Sequence, residues 1–320
     1  MTPSTNGRMT RHTRRQAIHA GIGLGTGMML NQGAMRPALA QATPEASSGA
    51  NDGYANAAAL VDAAWVEDHR TDPSVVVVGF MPLDEFERAH IPGSAQIDYP
   101  ELEVIDTLDA SIADWRDEVG RLLGDLGITP DSTVVAYDEG TLFAARLWWI
   151  LRYLGHENVT VLNGGMPAWR ELGIEPATGA AGPVAAPVPY SGDPQPDRLA
   201  QMQEVESILD DSAVAIVDAR TPQEYVDGHI PGAVNLNYPL NALPDPPKLW
   251  KPADELLAMY EEIGVTPDLY VIPYCSTGVR SAVTAFTLHL IGYEDVALYT
   301  GSWLEWGADP DTPKAEGDQA

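Results

Sequence analysis

The chain has 320 residues, 45% hydrophobic and 20% charged, enough for two ordinary domains and too apolar for a disordered chain. Its 18 basic residues face 46 acidic ones, a net charge of −28 that repels nucleic-acid phosphates and anionic lipid headgroups. One cysteine excludes an intramolecular disulfide framework and any cysteine-cluster metal site, and no apolar run reaches the ~18–20 residues of a membrane span.

Residues 1–40 carry five arginines and no acid. Thr13-Arg14-Arg15-Gln16-Ala17-Ile18-His19 resembles a twin-arginine export signal. A mild apolar stretch, Ala20 to Leu30, follows, and then the small-x-small cleavage pattern Ala38-Leu39-Ala40. The expectation is an exported chain, periplasmic or extracellular, that begins near Gln41. No cysteine stands near that point to take a lipid, so no membrane insertion is expected after the signal is removed.

Downstream, apolar β-branched runs alternate with helical patterns. Strands are expected at Val75–Val78, Val134–Tyr137 and Val159–Leu162, with helices over Ile112–Leu126 and Leu142–Leu154. A Pro-, Ala- and Gly-rich connector covers 176–198. The alternation then resumes, with strands at Ala213–Asp218, Val271–Tyr274 and Val296–Tyr299. Helices are expected over Thr221–Val226, Ala253–Ile263 and Ser281–Ile291. Residues 308–320, rich in Asp, Pro and Gly, are expected to fray. Continuous apolar strands separated by helices mean parallel sheets covered on both faces.

The two halves repeat one another. Asp138 to Gly155 spans 17 residues, as does Cys275 to Gly292; Gly155 to Trp169 spans 14, as does Gly292 to Trp306. His90-Ile91-Pro92-Gly93 returns as His229-Ile230-Pro231-Gly232, at an offset of 139 against 137 for the other pairs. This is duplication of a whole domain, at 55–175 and 199–307.

The single cysteine falls where a nucleophile would be useful. Cys275 follows a strand, and Cys275-Ser276-Thr277-Gly278-Val279-Arg280 leads into a helix. The carboxyl ends of parallel strands form a ligand crevice, and a loop closing on a helix N-terminus points free N–H groups inward. That field lowers a thiol's pKa and favours the nucleophilic thiolate. Gly278 lets the loop curl and Arg280 adds a permanent cation. The first copy has Asp138 at this place, so it is expected to be silent and to wall the cleft. A cysteine merely filling a core gap is the bland alternative.

Asp218-Ala219-Arg220, Glu224-Tyr225, Gly228 through Ala233, the Cys275–Arg280 loop and Gly301 through Trp306 together resemble a two-domain rhodanese-family sulfurtransferase. The resemblance implies two tandem rhodanese-like α/β domains and a Cys275 persulfide. Arg220 and Arg280 would be catalytic and hold an anionic donor. Ser276, Thr277, Gly278 and Val279 would line the donor site, with Asp218 supporting Arg220 or the loop and Trp303 at the cleft mouth. No metal or organic cofactor is implied, and the partners are a small-molecule sulfur donor and acceptor, with the enzyme a monomer. The loop lies between the basic pattern of thiosulfate-preferring members and the small polar pattern of mercaptopyruvate-preferring ones, and Arg280 favours thiosulfate. His90 and His229 occur in both copies and are expected to be structural, and Glu224 to cap its helix. The rival readings are a phosphatase, which needs five residues between Cys and Arg where this loop has four, and a non-catalytic sulfur-carrier or binding module.

Overall fold

A computed structural model describes residues 53–104, 106–181, 190 and 192–318. The expected export signal and part of the expected connector lie outside the described residues.

The valine run 75–78 cannot sit comfortably in a helix, where branched side chains crowd the preceding turn. It lies in an inner strand of a five-stranded parallel sheet made of β1 (Leu60–Val61), β2 (Val75–Phe80), β3 (Ala95–Ile97), β4 (Thr133–Tyr137) and β5 (Val159–Leu162). The strand order is β1-β5-β4-β2-β3. The second copy holds β6 (Val214–Asp218), β7 (Val234–Asn235) and β8 (Tyr270–Tyr274) in the order β7-β6-β8, again all parallel. Two single bridges continue that sheet, Val271 with Val296 and Leu199 with Leu298. The five positions of the first sheet are thus repeated.

The expected strand at Val296–Tyr299 is therefore reduced to isolated bridges. Its N–H groups at Ala297 and Tyr299 still reach the carbonyls of Val271 and Pro273. Pro273 has no N–H to return, where the first copy has Ala136.

The expected frayed tail is corrected as well. His229 and Ala315 exchange both backbone hydrogen bonds, at 2.9 and 3.0 Å, and His90 and Ala177 do the same in the first copy. Trp306 Nε1 donates to the Pro313 carbonyl, and Thr312 is buried. Each copy therefore ends in a strap that crosses its own His-Ile-Pro-Gly turn, beyond the boundaries of 175 and 307. The two histidines are buried there, each donating from Nδ1 to a carbonyl four residues earlier and stacked on Phe86 or Tyr225.

The copies meet through two helices, Ala144–Tyr153 and Val279–Leu290, each running from the loop that follows β4 or β8. Both helices are buried almost throughout, and the Trp148 and Phe286 rings meet edge to face at 4.9 Å. One core joins the first sheet to both helices. This packing brings the ends of β4 and β8, with Asp138 and Cys275, to the region between the copies.

Candidate active site

Cys275 is the first residue after β8, and its side chain is buried. Gly278, with φ of 86°, turns the chain into the Val279–Leu290 helix, and its N–H points back at the Cys275 sulfur over 3.2 Å. A side chain cannot replace that glycine, because a Cβ would stand 2.8 Å from Thr300 Oγ1 and 2.9 Å from the Thr300 carbonyl oxygen.

The loop is clamped from the far side by the Ser302–Ala308 helix. The N–H groups of Trp303 and Leu304 reach the carbonyls of Cys275 and Ser276, both at 3.0 Å. Ser302 stands in the left-handed region at φ of 55°, unusual for a residue with a Cβ. Its Oγ accepts from the Cys275 N–H and donates to the Tyr299 carbonyl. The first copy has Gly165 here, at φ of 58°, where a Cβ would run into the Asp138 carbonyl. A serine facing a glycine across the duplication was the signal in the sequence for this anchor.

Burial pushes the Cys275 thiol up, but other groups outweigh it and hold the thiol below its ordinary value. They are the Ser281 hydroxyl and N–H, the Arg280 charge and the Thr277 N–H. The Ser281 hydroxyl is buried and has no other partner. The first copy shows the same cradle filled by a carboxylate. Asp138 accepts from the N–H groups of Gly140, Thr141 and Ala144 at 2.7 to 2.9 Å. An anion is what this loop geometry binds.

The arginines are placed less simply. Arg280 lies beside the sulfur, but both its terminal nitrogens are bonded at 2.8 Å to the Glu224 carboxylate. One of them also donates to Ser276 Oγ. Arg280 in turn holds the Glu224 carboxyl down to about 2. Glu224 also accepts from the Thr221 N–H and hydroxyl, closing a capping box on the Pro222–Asp227 helix. The expected capping role is therefore only half of what this residue does.

Arg220, expected to hold the donor, is bonded within the fold. It is buried, its guanidinium forks onto the Asp218 carboxylate at 2.6 to 3.0 Å, and it donates to the Gly228 carbonyl. The Tyr274 hydroxyl closes the cluster on Asp218. A buried carboxylate needs its nearest cation, and the cation is spent there. Asp218 is likewise fully buried in that pair and holds Arg220 by hydrogen bonds. Trp303 lies over the Arg220 guanidinium at 4.7 Å and against Gly228, so it covers this ion pair. Ser276 and Thr277 remain partly exposed on the loop.

Arg146 was not singled out in the sequence. It comes from the first copy, it is 1% exposed, and its Nη1 lies 3.1 Å from where a Gly278 Cβ would be. The signal was a lone cation in the apolar run Ala144 to Trp149. Among the described residues, no cluster of three or more His, Cys, Asp or Glu side chains could hold a metal ion, and no helix is long and apolar enough to cross a membrane.

Parallel sheets in tandem, with a loop that closes an anion cradle around one thiol, define a class of two-domain α/β proteins built for sulfur chemistry. The family profile of the Rhodanese-like domain matches residues 62–172 and 201–309. The chain belongs to the rhodanese family, as one of its two-domain sulfurtransferases. It is 34% identical to the "Sulfur carrier protein TtuD" of Thermus thermophilus, over 83% of this chain and all of that one. It is 32% identical to the thiosulfate sulfurtransferase of Azotobacter vinelandii, over 82% and 98% of the two chains. It is 30% identical to the 3-mercaptopyruvate sulfurtransferase of Escherichia coli, over 79% and 96%.

Proposed function

We propose that the protein transfers the outer sulfur of thiosulfate to cyanide or a thiol through a persulfide on Cys275. The observation that carries this reading is the sulfur held among inward N–H groups with its thiol pulled down. The Cys275 thiolate attacks the outer sulfur of thiosulfate, a Cys275 S–S bond forms, the donor's S–S bond breaks, and sulfite leaves. Cyanide then attacks the outer persulfide sulfur, thiocyanate leaves, and the thiolate is regenerated. The same N–H groups that hold the thiolate hold the persulfide anion, and double displacement gives ping-pong kinetics. Cys275→Ser is expected to lower thiocyanate formation by about a thousandfold or more with an unchanged circular dichroism spectrum. Retention of activity in that variant would end the assignment.

A second donor is favoured by one observation. The Glu224 carboxylate neutralises Arg280, and Arg220 is spent on Asp218, so the charge thought to select a dianion is largely used up. The Ser276 and Thr277 hydroxyls suit the carboxylate of 3-mercaptopyruvate. Comparing kcat/KM for the two donors on the protein beginning near Gln41 decides between them. The arginine pair, apolar stretch and cleavage pattern of residues 1–40 support export by the twin-arginine route. Arg14→Lys with Arg15→Lys should leave the protein uncleaved inside the cell; unaltered export of that variant would refute it.

A further inference from the structure

We infer that Arg146, carried by the copy that has no cysteine, is a positioning residue that keeps the Cys275 sulfur anionic through charge. The inference rests on the reading of Cys275 as the sulfur-accepting nucleophile.

Arg146 Nη2 donates to Thr300 Oγ1 at 2.9 Å and to the Leu102 carbonyl at 3.3 Å, and its guanidinium lies 4.8 Å over the Trp149 ring. Its Nη1 is buried with no hydrogen-bond partner and no carboxylate. Leaving a guanidinium so placed is costly unless an anion compensates it. Packing does not require it. The mirrored position in the Val279–Leu290 helix is Val283, which is fully buried. Burial draws the Arg146 guanidinium down to about 10, and the charges that oppose this are Cys275 first and then Glu103.

The other charged groups around the loop have partners of their own, although Arg280 also acts on the sulfur. Arg280 is bonded to Glu224, and Arg220 to Asp218. Glu305, on the clamping helix, is bonded to Thr107 of the first copy. Among the described residues around the loop, Arg146 is the guanidinium without a carboxylate partner. It stands behind Gly278, at the positive N-terminal end of the Val279–Leu290 helix, a place a cation occupies comfortably only if an anion sits there too. The duplication has divided the site: one copy supplies the thiol and Arg280, and the other adds a second counter-charge.

The test is the pH dependence of iodoacetamide alkylation of Cys275, the chain's one thiol, in wild type, Arg146→Met and Arg146→Lys. Removing a nearby opposite charge raises a thiol's pKa, so the Arg146→Met midpoint should move up by about one pH unit or more. Arg146→Lys should stay close to wild type. Thiosulfate kcat/KM of Arg146→Met should fall about tenfold at pH 7, with the loss closing above the shifted midpoint. In a Cys275→Ser background, where no sulfur anion exists, Arg146→Met should raise the melting temperature.

An Arg146→Met midpoint equal to wild type overturns the inference. So does a melting temperature that falls, or a fold that is lost, to the same extent with and without the cysteine. If wild type forms no thiocyanate yet the alkylation midpoint still shifts, the proposed function fails and the role of Arg146 stands.

Discussion

Gly278 shows how much one residue carries in this site. Its positive φ shapes the loop, its N–H reaches the sulfur, and its missing Cβ lets Thr300 and Arg146 approach. Gly278→Ala would push a methyl group against the Thr300 backbone oxygen, which cannot rotate away. The expected cost is about 1–3 kcal/mol, read by urea unfolding, with a larger loss in thiocyanate formation because the N–H moves off the sulfur. Wild-type stability and activity in that variant would show a loop more plastic than its geometry. Gly278 and Cys275 were legible in the sequence because a glycine near a lone cysteine between strand and helix has few other uses. For Arg220, Asp218 was expected as a partner of either the guanidinium or the loop, and the Gly228 carbonyl was not expected. Asp218 stands two residues away, and only the fold decides whether the guanidinium turns to it or to the sulfur.

At the scale of elements, the helices and the inner strands follow from periodicity, and the departures have local causes. Pro273 thins the last ladder of the second sheet, and the strap after Trp306 docks where composition suggested a loose end. Polar composition marks a segment as unable to form a core of its own, but a single bridge to an existing turn is enough to hold it. Truncation after Ala308 would remove the paired bonds of Ala315 with His229 and the Pro313 carbonyl that satisfies Trp306. Loss of these groups should lower the melting temperature by about 5–10 °C, measured by calorimetry. A truncated protein that melts with the full chain would mean that the strap is passive.

At the scale of the molecule, a net charge of −28 surrounds a site that must receive an anionic donor. Self-repulsion of the folded chain is screened as the Debye length falls from about 10 Å at 0.1 M salt to about 3 Å at 1 M. The melting temperature should therefore rise between those concentrations. A fall would mean that surface ion pairs such as Arg70 with Glu67 outweigh the global repulsion. The two copies divide the work, one holding Cys275 in its loop and the other holding a carboxylate in the same cradle while lending Arg146.

The sequence by itself determined the duplication, the parallel α/β class and the loop that carries the thiol, because these depend on spacing, side-chain period and residue type along short stretches. The tertiary structure alone decided which charges meet. Arg280 pairs with Glu224 across 56 residues of chain, and Arg146 meets Thr300 across 154. Such pairings depend on how two sheets and two helices pack, and Coulomb energy acts through space without regard to chain order.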